Sequence, residues 1–471
     1  MPQRHPPIEA TGQSLAGGQA LRVEAIRGRY DPVLAVVAIL IAGFGIVMVG
    51  SSSIAISEGL KLGPFYYLIR HVVFVLAGVV GALVLMRTEL RWLEQRSRFL
   101  LILCFLLLAA VYLPGVGRTI NGAKRWLNLG VSNFQAVEAV KPMLIIWLAS
   151  YLARYREDIA QRWWPMLKPV GIAVALVAML LAQPDFGSAS LILAVTGGML
   201  MLAGASLWRL FGPVVIGLPV LGVVAMSEAY RVRRLTSFLN PWLDPFKDGF
   251  QLSQALIAIG RGEWFGVGLG ASVQKLFYLP EANTDFILAV IAEELGFFGV
   301  LAVILLYAAF FARCMQLGLR AARLGRQFAA NCAFGIGLWF CLQALVSVGV
   351  NLGVLPTKGL TLPMISYGGS SVLASVAVIG LLLRVSYEVD RAQRQMARAR
   401  AGNEPVELEE AAAAPATTGK RERIAPSLGG ATPVIADAVA PRRVPAAQPP
   451  SGYAPARTPR QRIEPRIGEK A

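Results

Sequence analysis

The sequence predicts an all-α polytopic membrane protein: a bundle of about ten transmembrane helices with a large outer loop between spans seven and eight. Three observations predict this fold class. Of the 471 residues, 55% are hydrophobic and only 15% are charged, whereas a soluble domain carries about 25% charged residues. The apolar residues form runs long enough to cross a hydrocarbon core of about 30 Å as helices. Arginine and lysine collect between these runs, as they do in chains that a bilayer surrounds.

The spans are predicted from runs of about 17–25 mainly apolar residues. They cover 32–51, 70–87, 99–114, 136–153, 167–183, 187–205, 209–227, 286–312, 329–351 and 363–385. The first run follows a polar segment that lacks the apolar core and cleavage site of a signal peptide. We therefore expect this run to remain in the protein as an uncleaved span.

The orientation follows from three short Arg-rich segments, 87–98, 154–166 and 313–326. Alternating spans place all three on one side, together with the N-terminus and the C-terminal tail. The positive-inside rule makes that side cytoplasmic. The net charge of +17 is explained by these segments and the tail, so anionic membrane lipid is the expected partner of the charge and nucleic acid is not.

The chain divides into three predicted regions. Residues 1–30 are predicted to form a disordered cytoplasmic N-terminal tail, 31–390 the membrane domain, and 391–471 a basic, Ala/Pro-rich, disordered cytoplasmic tail that is too polar to bury a core. Within the membrane domain the outer loop 228–285 is the largest extramembrane element between spans. Loops of this length usually carry function.

Charged residues inside spans are costly, at about 2.5–3.5 kcal/mol each on insertion scales. Glu138 and Lys141 lie three residues apart in the fourth span and therefore share one helix face. They are interpreted either as a structural ion pair or as the floor of an outward-facing cavity. Asp285 lies where the outer loop becomes a helix, so it is either a helix cap or a functional acid. Glu293 and Glu294 are expected near the membrane interface, on turns that project outward.

The outer turns contribute further cations, amides and carboxylates on the same side of the membrane. Residues of this kind are Arg118, Lys124, Arg125, Trp126, Asp185, Lys358 and Ser366. Together they suit a substrate that has an anionic head group and a lipid tail. No histidine or cysteine pattern has metal-ligand spacing, so the sequence leaves a protein-bound metal unknown.

Several segments resemble the SEDS family, the membrane proteins of bacterial shape, elongation, division and sporulation. The matching segments are GRTINGAKRWLNLG (117–130), QPDFG (183–187), NPWLDPFKDGFQLSQALIAIGRGEWFGVGLG (240–270), LPEANTDF (279–286), AEELGFFG (292–299) and PTKGLTLPMISYGGSS (356–371). The resemblance extends over residues 31–390. The segment QKLFYLPEANTDF (274–286) and the long basic tail are more similar to the division members of the family than to the elongation members.

The resemblance implies a peptidoglycan glycosyltransferase that polymerises lipid II at the outer face of the bacterial cytoplasmic (inner) membrane, at the division septum. The expected partners are a class B penicillin-binding transpeptidase and other division proteins. The family's essential loop aspartate matches Asp285, and its span-four acid and lysine match Glu138 and Lys141. The chain departs from the family at 136–137, where Ala-Val replaces Pro-Ser, and at Asn283, which replaces a histidine.

In the resulting hypothesis Asp285 is the base that accepts the proton of an attacking sugar hydroxyl. Charge on the departing pyrophosphate is stabilised by cations of the outer turns or by a divalent cation such as Mg²⁺ or Mn²⁺. Two alternatives remain open at this point. One is a lipid flippase or transporter, and the other is a non-catalytic division scaffold that activates a transpeptidase.

Overall fold

The computed structural model describes residues 27–403, apart from 121, 129, 131, 207, 210, 211, 213–216, 218–221, 223–236, 248, 277, 357 and 358. The two predicted tails therefore lie largely outside the described residues. The same holds for most of the predicted span 209–227 and for the beginning of the loop 228–285. The described residues belong to one compact unit, which extends to Pro405.

The described part of the chain is mainly helical, and the predicted fold class is confirmed. Seven of its helices are long and apolar enough to cross a membrane: α1 (Pro32–Gly59), α2 (Tyr66–Arg87), α5 (Ala136–Arg154), α7 (Trp164–Ala182), α10 (Ile287–Arg323), α11 (Gln327–Asn351) and α12 (Gly369–Asn403). Two shorter apolar helices, α4 (Ser97–Ala110) and α8 (Phe186–Leu202), match the predicted spans 99–114 and 187–205. The remaining helices are α3 (Leu90–Gln95), α6 (Arg156–Gln161) and α9 (Phe250–Gly262).

The first span begins where its sequence favours a helix start. The Asp31 carboxylate accepts a hydrogen bond from the Leu34 amide at 3.1 Å, and Pro32 occupies the first helical position. Asp31 also binds the Arg313 guanidinium of α10 at 2.7 Å. The Arg29 amide donates to Asp390 in the C-terminal half of α12. The segment before α1 and the C-terminal half of α12 therefore meet at one end of the bundle.

Close packing of α2 against α12 depends on small residues. A side chain at Gly380 would overlap the carbonyl oxygen of Ala82, and one at Gly78 would meet Val376. Small residues at such positions let helix backbones approach closely where no hydrophobic effect acts between spans. This pair of helices forms one wall of the bundle.

A three-stranded antiparallel sheet lies between α4 and α5, in residues that separate the predicted spans 99–114 and 136–153, and the all-α prediction did not include it. Its strands are β1 (Gly117–Ile120), β2 (Ala123–Asn128) and β3 (Asn133–Gln135), in the order β1-β2-β3. Gly122 has a positive φ of 75° in the tight β1–β2 turn, a conformation that glycine adopts without strain. We call the end of the bundle that carries this sheet the sheet end.

Helix α10 has 37 residues and is broken at Gly296, which has φ 66° and ψ −162°. The break frees backbone groups that pair with the loop after α9. The Val267 and Gly268 amides donate to the carbonyls of Glu293 and Glu294, and the Phe297 amide donates to the carbonyl of Glu263. The sequence predicts that the first turns of this helix project outward from its membrane-spanning part. The break at Gly296 separates those turns from the rest of the helix, in agreement with that prediction.

The side chains of Glu293 and Glu294 are buried in protein, which the sequence analysis did not anticipate. Glu293 accepts hydrogen bonds from Ser272 and from the Arg261 guanidinium, the latter at 3.0 Å. Glu294 binds Lys275 Nζ at 2.6 Å. These pairs attach the end of α9 and the loop that follows it to the start of α10.

Candidate functional site

A cavity of about 650 Å³ opens at the sheet end of the bundle. Its walls come from the sheet, from the starts of several helices and from the loops before α10 and α12. The residues that line the cavity include Arg125, Trp126, Gln135, Glu138, Asp185, Ser188, Glu281, Asp285, Gly359, Thr361, Tyr367, Ser370 and Ser371. The cavity is therefore built by segments far apart in sequence.

Five of the described helices begin at this cavity. The first turns of α5, α8, α9, α10 and α12 contribute, or directly follow, the lining residues Glu138, Ser188, Gln251, Asp285 and Ser370. The first N–H groups of a helix have no acceptor within it, and its dipole is positive at this end. Helix N-termini are for that reason common binding sites for phosphate and other anions. The arrangement favours an anionic ligand despite several acidic side chains in the walls.

Asp285 lies in a tight turn immediately before α10. The Glu281 carbonyl accepts hydrogen bonds from the Thr284 amide at 3.1 Å and from the Phe286 amide at 3.2 Å, which closes the turn around Asp285. Glu281 has a positive φ of 57°. A Cβ atom at Gly359 would lie 3.2 Å from Asp285 Oδ2, so a side chain there would crowd the carboxylate.

Glu138 and Lys141 form an ion pair at the inner wall of the cavity. Lys141 Nζ lies 2.8 Å from Glu138 Oε2, and both residues are buried. The same amine donates to Gln343 Oε1 at 3.0 Å and lies 5.0 Å from the centre of the Trp339 ring. Glu138 lines the cavity, whereas Lys141 lies one turn deeper in the bundle.

Asp185 joins the sheet to the start of α8. Its carboxylate accepts hydrogen bonds from the Ser188 amide at 3.1 Å and from the Ser188 hydroxyl at 2.8 Å, which caps the helix. Arg125 Nη1 of β2 lies 3.9 Å from the same carboxylate, and Gln135 Nε2 donates to it at 3.4 Å. Arg125 therefore faces the cavity beside the α8 N-terminus.

Polar groups of the segment between α11 and α12 complete the lining. The Thr361 and Ser371 hydroxyls are 3.1 Å apart. Burial raises the pKa of the Tyr367 phenol above its ordinary value. The Tyr367 amide donates to the carbonyl of Asn283 at 2.9 Å, which links this segment to the turn that carries Asp285.

The comparisons with known proteins agree with this architecture. The family model described as "Cell cycle protein", of FtsW, RodA and SpoVE, matches residues 32–391. The chain belongs to the FtsW/RodA/SpoVE family. This confirms the resemblance read from the sequence motifs, and the chain is a multi-pass membrane protein of that family.

Its relatives include the "Probable peptidoglycan glycosyltransferase FtsW" of Xanthomonas oryzae pv. oryzae, 57% identical over 376 residues, or 80% of this chain and 76% of that protein. The protein of the same name from Alkalilimnicola ehrlichii is 47% identical over 78% of this chain and 92% of that protein. A solved chain from work on polymerization and crosslinking by a peptidoglycan synthase complex has TM-score 0.62 and 31% identity, covering 76% of this chain and 98% of that one. The crystal structure of Thermus thermophilus RodA has a TM-score of 0.56 and 30% identity, and the match covers 76% of this chain and 96% of that one.

The structure brings some of the predicted site residues together and leaves others apart. Asp285, Glu138, Arg125 and Trp126 line the cavity, and Lys141 lies directly behind Glu138. Lys358 lies outside the described residues.

Three predicted residues lie outside the cavity lining. Arg118 is exposed on β1 and contacts Asn133, while Lys124 Nζ donates to the Tyr112 carbonyl at 2.9 Å. The buried Ser366 hydroxyl accepts a hydrogen bond from the Leu362 amide.

Gln343 and Asn351, two polar residues of α11 whose partners lie at or behind the cavity, are not among the residues predicted from the sequence. Gln343 accepts from Lys141 and donates to the Thr361 carbonyl at 2.8 Å. Asn351 donates to the Asp285 carbonyl at 3.0 Å. The signal that could have identified both is an amide within an apolar span, where an unpaired polar group is costly.

The described residues do not supply a resident metal site. Among them, no group of three or more histidine, cysteine, aspartate or glutamate side chains is arranged to hold a metal ion. Two of the carboxylates in the walls are already engaged, because Glu138 pairs with Lys141 and Asp185 caps α8.

Proposed function

We propose that this chain is a peptidoglycan glycosyltransferase that polymerises lipid II into glycan strands at the outer face of the cytoplasmic membrane. The single observation that carries the proposal is the position of Asp285 in a cavity at which five of the described helices begin. A base and an anion-binding surface in one cavity are the two elements that glycosyl transfer from a lipid pyrophosphate requires.

The proposed step begins with a hydroxyl group of the acceptor sugar near Asp285. The hydroxyl oxygen attacks the anomeric carbon of the donor sugar while its proton passes to the Asp285 carboxylate. The new C–O bond forms as the bond between the anomeric carbon and the phosphate oxygen breaks. The electron pair of that bond leaves with the lipid pyrophosphate. Attack on the face opposite the leaving group inverts the anomeric centre, by the logic of inverting glycosidases.

The leaving group is already activated, so it requires charge stabilisation more than protonation. The helix N-termini supply N–H groups and positive dipole ends. Arg125 supplies a guanidinium, and Lys141 stabilises the deeper wall through Glu138. Orientation of two membrane-held substrates in one cavity contributes further, because it turns an encounter in the bilayer into a step within one complex.

The cellular setting belongs to the same proposal. Relatives at 57% and 47% identity bear the FtsW name, which supports a role in septal wall synthesis during division. We expect a class B penicillin-binding transpeptidase as partner, since a similar solved chain comes from a complex that coordinates polymerization and crosslinking. We also expect both termini in the cytoplasm and the sheet end at the outer face. Residues 31–390 then form the catalytic membrane domain, between terminal tails 1–30 and 391–471.

Reconstitution in liposomes tests the function against a flippase. Purified wild-type protein and the Asp285→Asn variant are supplied with lipid II, and glycan strands and transbilayer lipid movement are measured in the same vesicles. The proposal expects strands from the wild type only. Lipid movement without strands from wild-type protein would identify a transporter. An equal yield of glycan strands from both proteins would contradict the assignment of Asp285 as the base.

A further inference from the structure

Asn351, the last residue of α11, is fully buried and uses its whole amide group in hydrogen bonds. Nδ2 donates to the Asp285 carbonyl at 3.0 Å and to the Ser347 carbonyl at 2.8 Å. Oδ1 accepts from the Ala289 amide at 3.1 Å. One side chain thus joins α11 to the residue before α10 and to the first turn of α10.

The contact with Ala289 replaces an ordinary helix cap. The residue at the N-cap position of α10 is Phe286, whose side chain has no oxygen to accept a hydrogen bond. The third amide of the helix, that of Ala289, is shared between the Phe286 carbonyl at 3.0 Å and Asn351 Oδ1, which comes from a different helix. A short acidic side chain beside a helix start normally serves as such a cap, and Asp285 is an acidic residue next to Phe286.

We propose that Asn351 is a positioning residue for Asp285. It caps α10 from α11 and fixes the carbonyl of Asp285, and together these contacts keep the Asp285 carboxylate directed into the cavity instead of toward the helix start. The consequence for activity rests on the proposed function, in which Asp285 is the base. The contacts themselves, and their effect on stability, do not depend on it.

Replacement of Asn351 by alanine removes both contacts. The first-turn amides of α10 then attract the nearby Asp285 carboxylate, which becomes a cap and leaves its position in the cavity. The helix keeps a cap while the reaction loses its base. A loss of activity larger than the loss of stability distinguishes this role from a purely structural one.

The matched control is Asn331→Ala in the same helix. Asn331 is also a buried asparagine, and its Nδ2 donates to the Ala149 carbonyl at 3.4 Å, but it lies at the other end of α11, away from the cavity. A second variant, Asn351→Asp, keeps the size of the side chain and the acceptor for Ala289. It loses the donor to the Asp285 carbonyl and buries a carboxyl group at a cost in stability, so its kcat is compared per native molecule.

The experiment measures kcat and KM with lipid II, together with the stoichiometry of lipid II binding, which reports the fraction of native protein. We expect Asn351→Ala to lower kcat at least about tenfold with KM and stoichiometry unchanged within about twofold. Asn351→Asp lowers kcat in the same direction, and Asn331→Ala leaves it within about twofold of wild type. Equal kcat values for Asn351→Ala and Asn331→Ala would overturn the proposal.

Thermal unfolding supplies a test that needs no activity. If Asp285 becomes the cap in Asn351→Ala, the double variant Asp285→Ala/Asn351→Ala loses more Tm than the two single variants combined. An additive double variant would contradict the proposal. Absence of polymer from wild-type protein would instead count against the proposed function, and this stability test would still decide the role of Asn351.

Discussion

Lys275 and Glu294 form a buried ion pair that joins the loop before α10 to α10 itself, with Nζ 2.6 Å from Oε1. Their residues are 6% and 0% exposed. The Ser51 hydroxyl of α1 donates to the same carboxylate, so the pair also connects the loop to the first span. Both residues lie within about ten positions of Asp285 in the sequence. The pair stabilises the loop that leads to the turn at Asp285.

Removal of Lys275 is expected to destabilise the protein strongly. Lys275→Met leaves Glu294 buried without its cation, a change that costs about 3–5 kcal/mol. Thermal unfolding in detergent measures the effect. Arg394→Ala is the control, because the Arg394–Asp390 pair is partly exposed and such pairs contribute about 0–1 kcal/mol. Equal shifts in Tm for the two variants would contradict the structural role of Lys275.

The helix break at Gly296 is expected to require glycine. In Gly296→Ala the new methyl group would overlap backbone atoms of Trp264, Phe265 and Gly266, and the residue has a positive φ. Overlap and strain together cost at least about 2 kcal/mol in the free energy of unfolding. Gly260→Ala in α9 is the control, since open space surrounds that position and alanine stabilises a helix by about 0.5–1 kcal/mol relative to glycine. A Gly296→Ala protein as stable as the control would show that the break is not needed.

The Glu138–Lys141 pair has two interpretations, a structural ion pair or a part of the reaction site. Lys141→Met alone leaves a buried carboxylate and is expected to destabilise by about 3–5 kcal/mol. The double variant Glu138→Gln/Lys141→Met removes both charges and should recover most of that loss. We expect this stable double variant to polymerise lipid II at least about tenfold more slowly, because the cavity wall loses its charges. Wild-type rates from the double variant would leave the pair with a structural role only.

Arg125 is expected to contribute more to substrate binding than the other cations of the sheet. It alone among Arg118, Lys124 and Arg125 lines the cavity. Arg125→Ala should raise the KM for lipid II about tenfold, the effect of losing one hydrogen bond to a charged group. Arg118→Ala should change KM by less than about twofold. A larger effect at Arg118 than at Arg125 would mean that the pyrophosphate lies outside the cavity, on the exposed face of the sheet.

The sequence predicted those parts of the fold that depend on local composition. Each predicted span in the described residues has a matching helix, because a run of apolar residues in lipid must satisfy its backbone within one helix. The Asp31 cap of α1 is likewise local. The sheet 117–135 was missed because its strands have only three to six residues and no clear alternation of apolar and polar side chains.

The site was predicted in its chemistry but not in its geometry. Asp285, Glu138 and Lys141 stood out as charges at the ends of apolar runs. Their partners did not, because Gln343 is 202 positions from Lys141 and Asn351 is 66 positions from Asp285. Contacts over such distances depend on how the helices pack, which hydropathy does not specify. The meeting of five helix N-termini at one cavity, counted among the described helices, is a property of that packing.

The central claim is that the Asp285 carboxylate is the base in glycan polymerisation. The most direct measurement is the initial rate of lipid II polymerisation by purified wild-type protein, by Asp285→Asn and by Asp244→Asn, an exposed acid of the same outer loop that does not line the cavity. Loss of a general base lowers the rate by about 10²–10⁴-fold. We therefore predict a fall of at least about 100-fold for Asp285→Asn and a wild-type rate for Asp244→Asn. A folded Asp285→Asn protein that polymerises lipid II at the wild-type rate would contradict the claim.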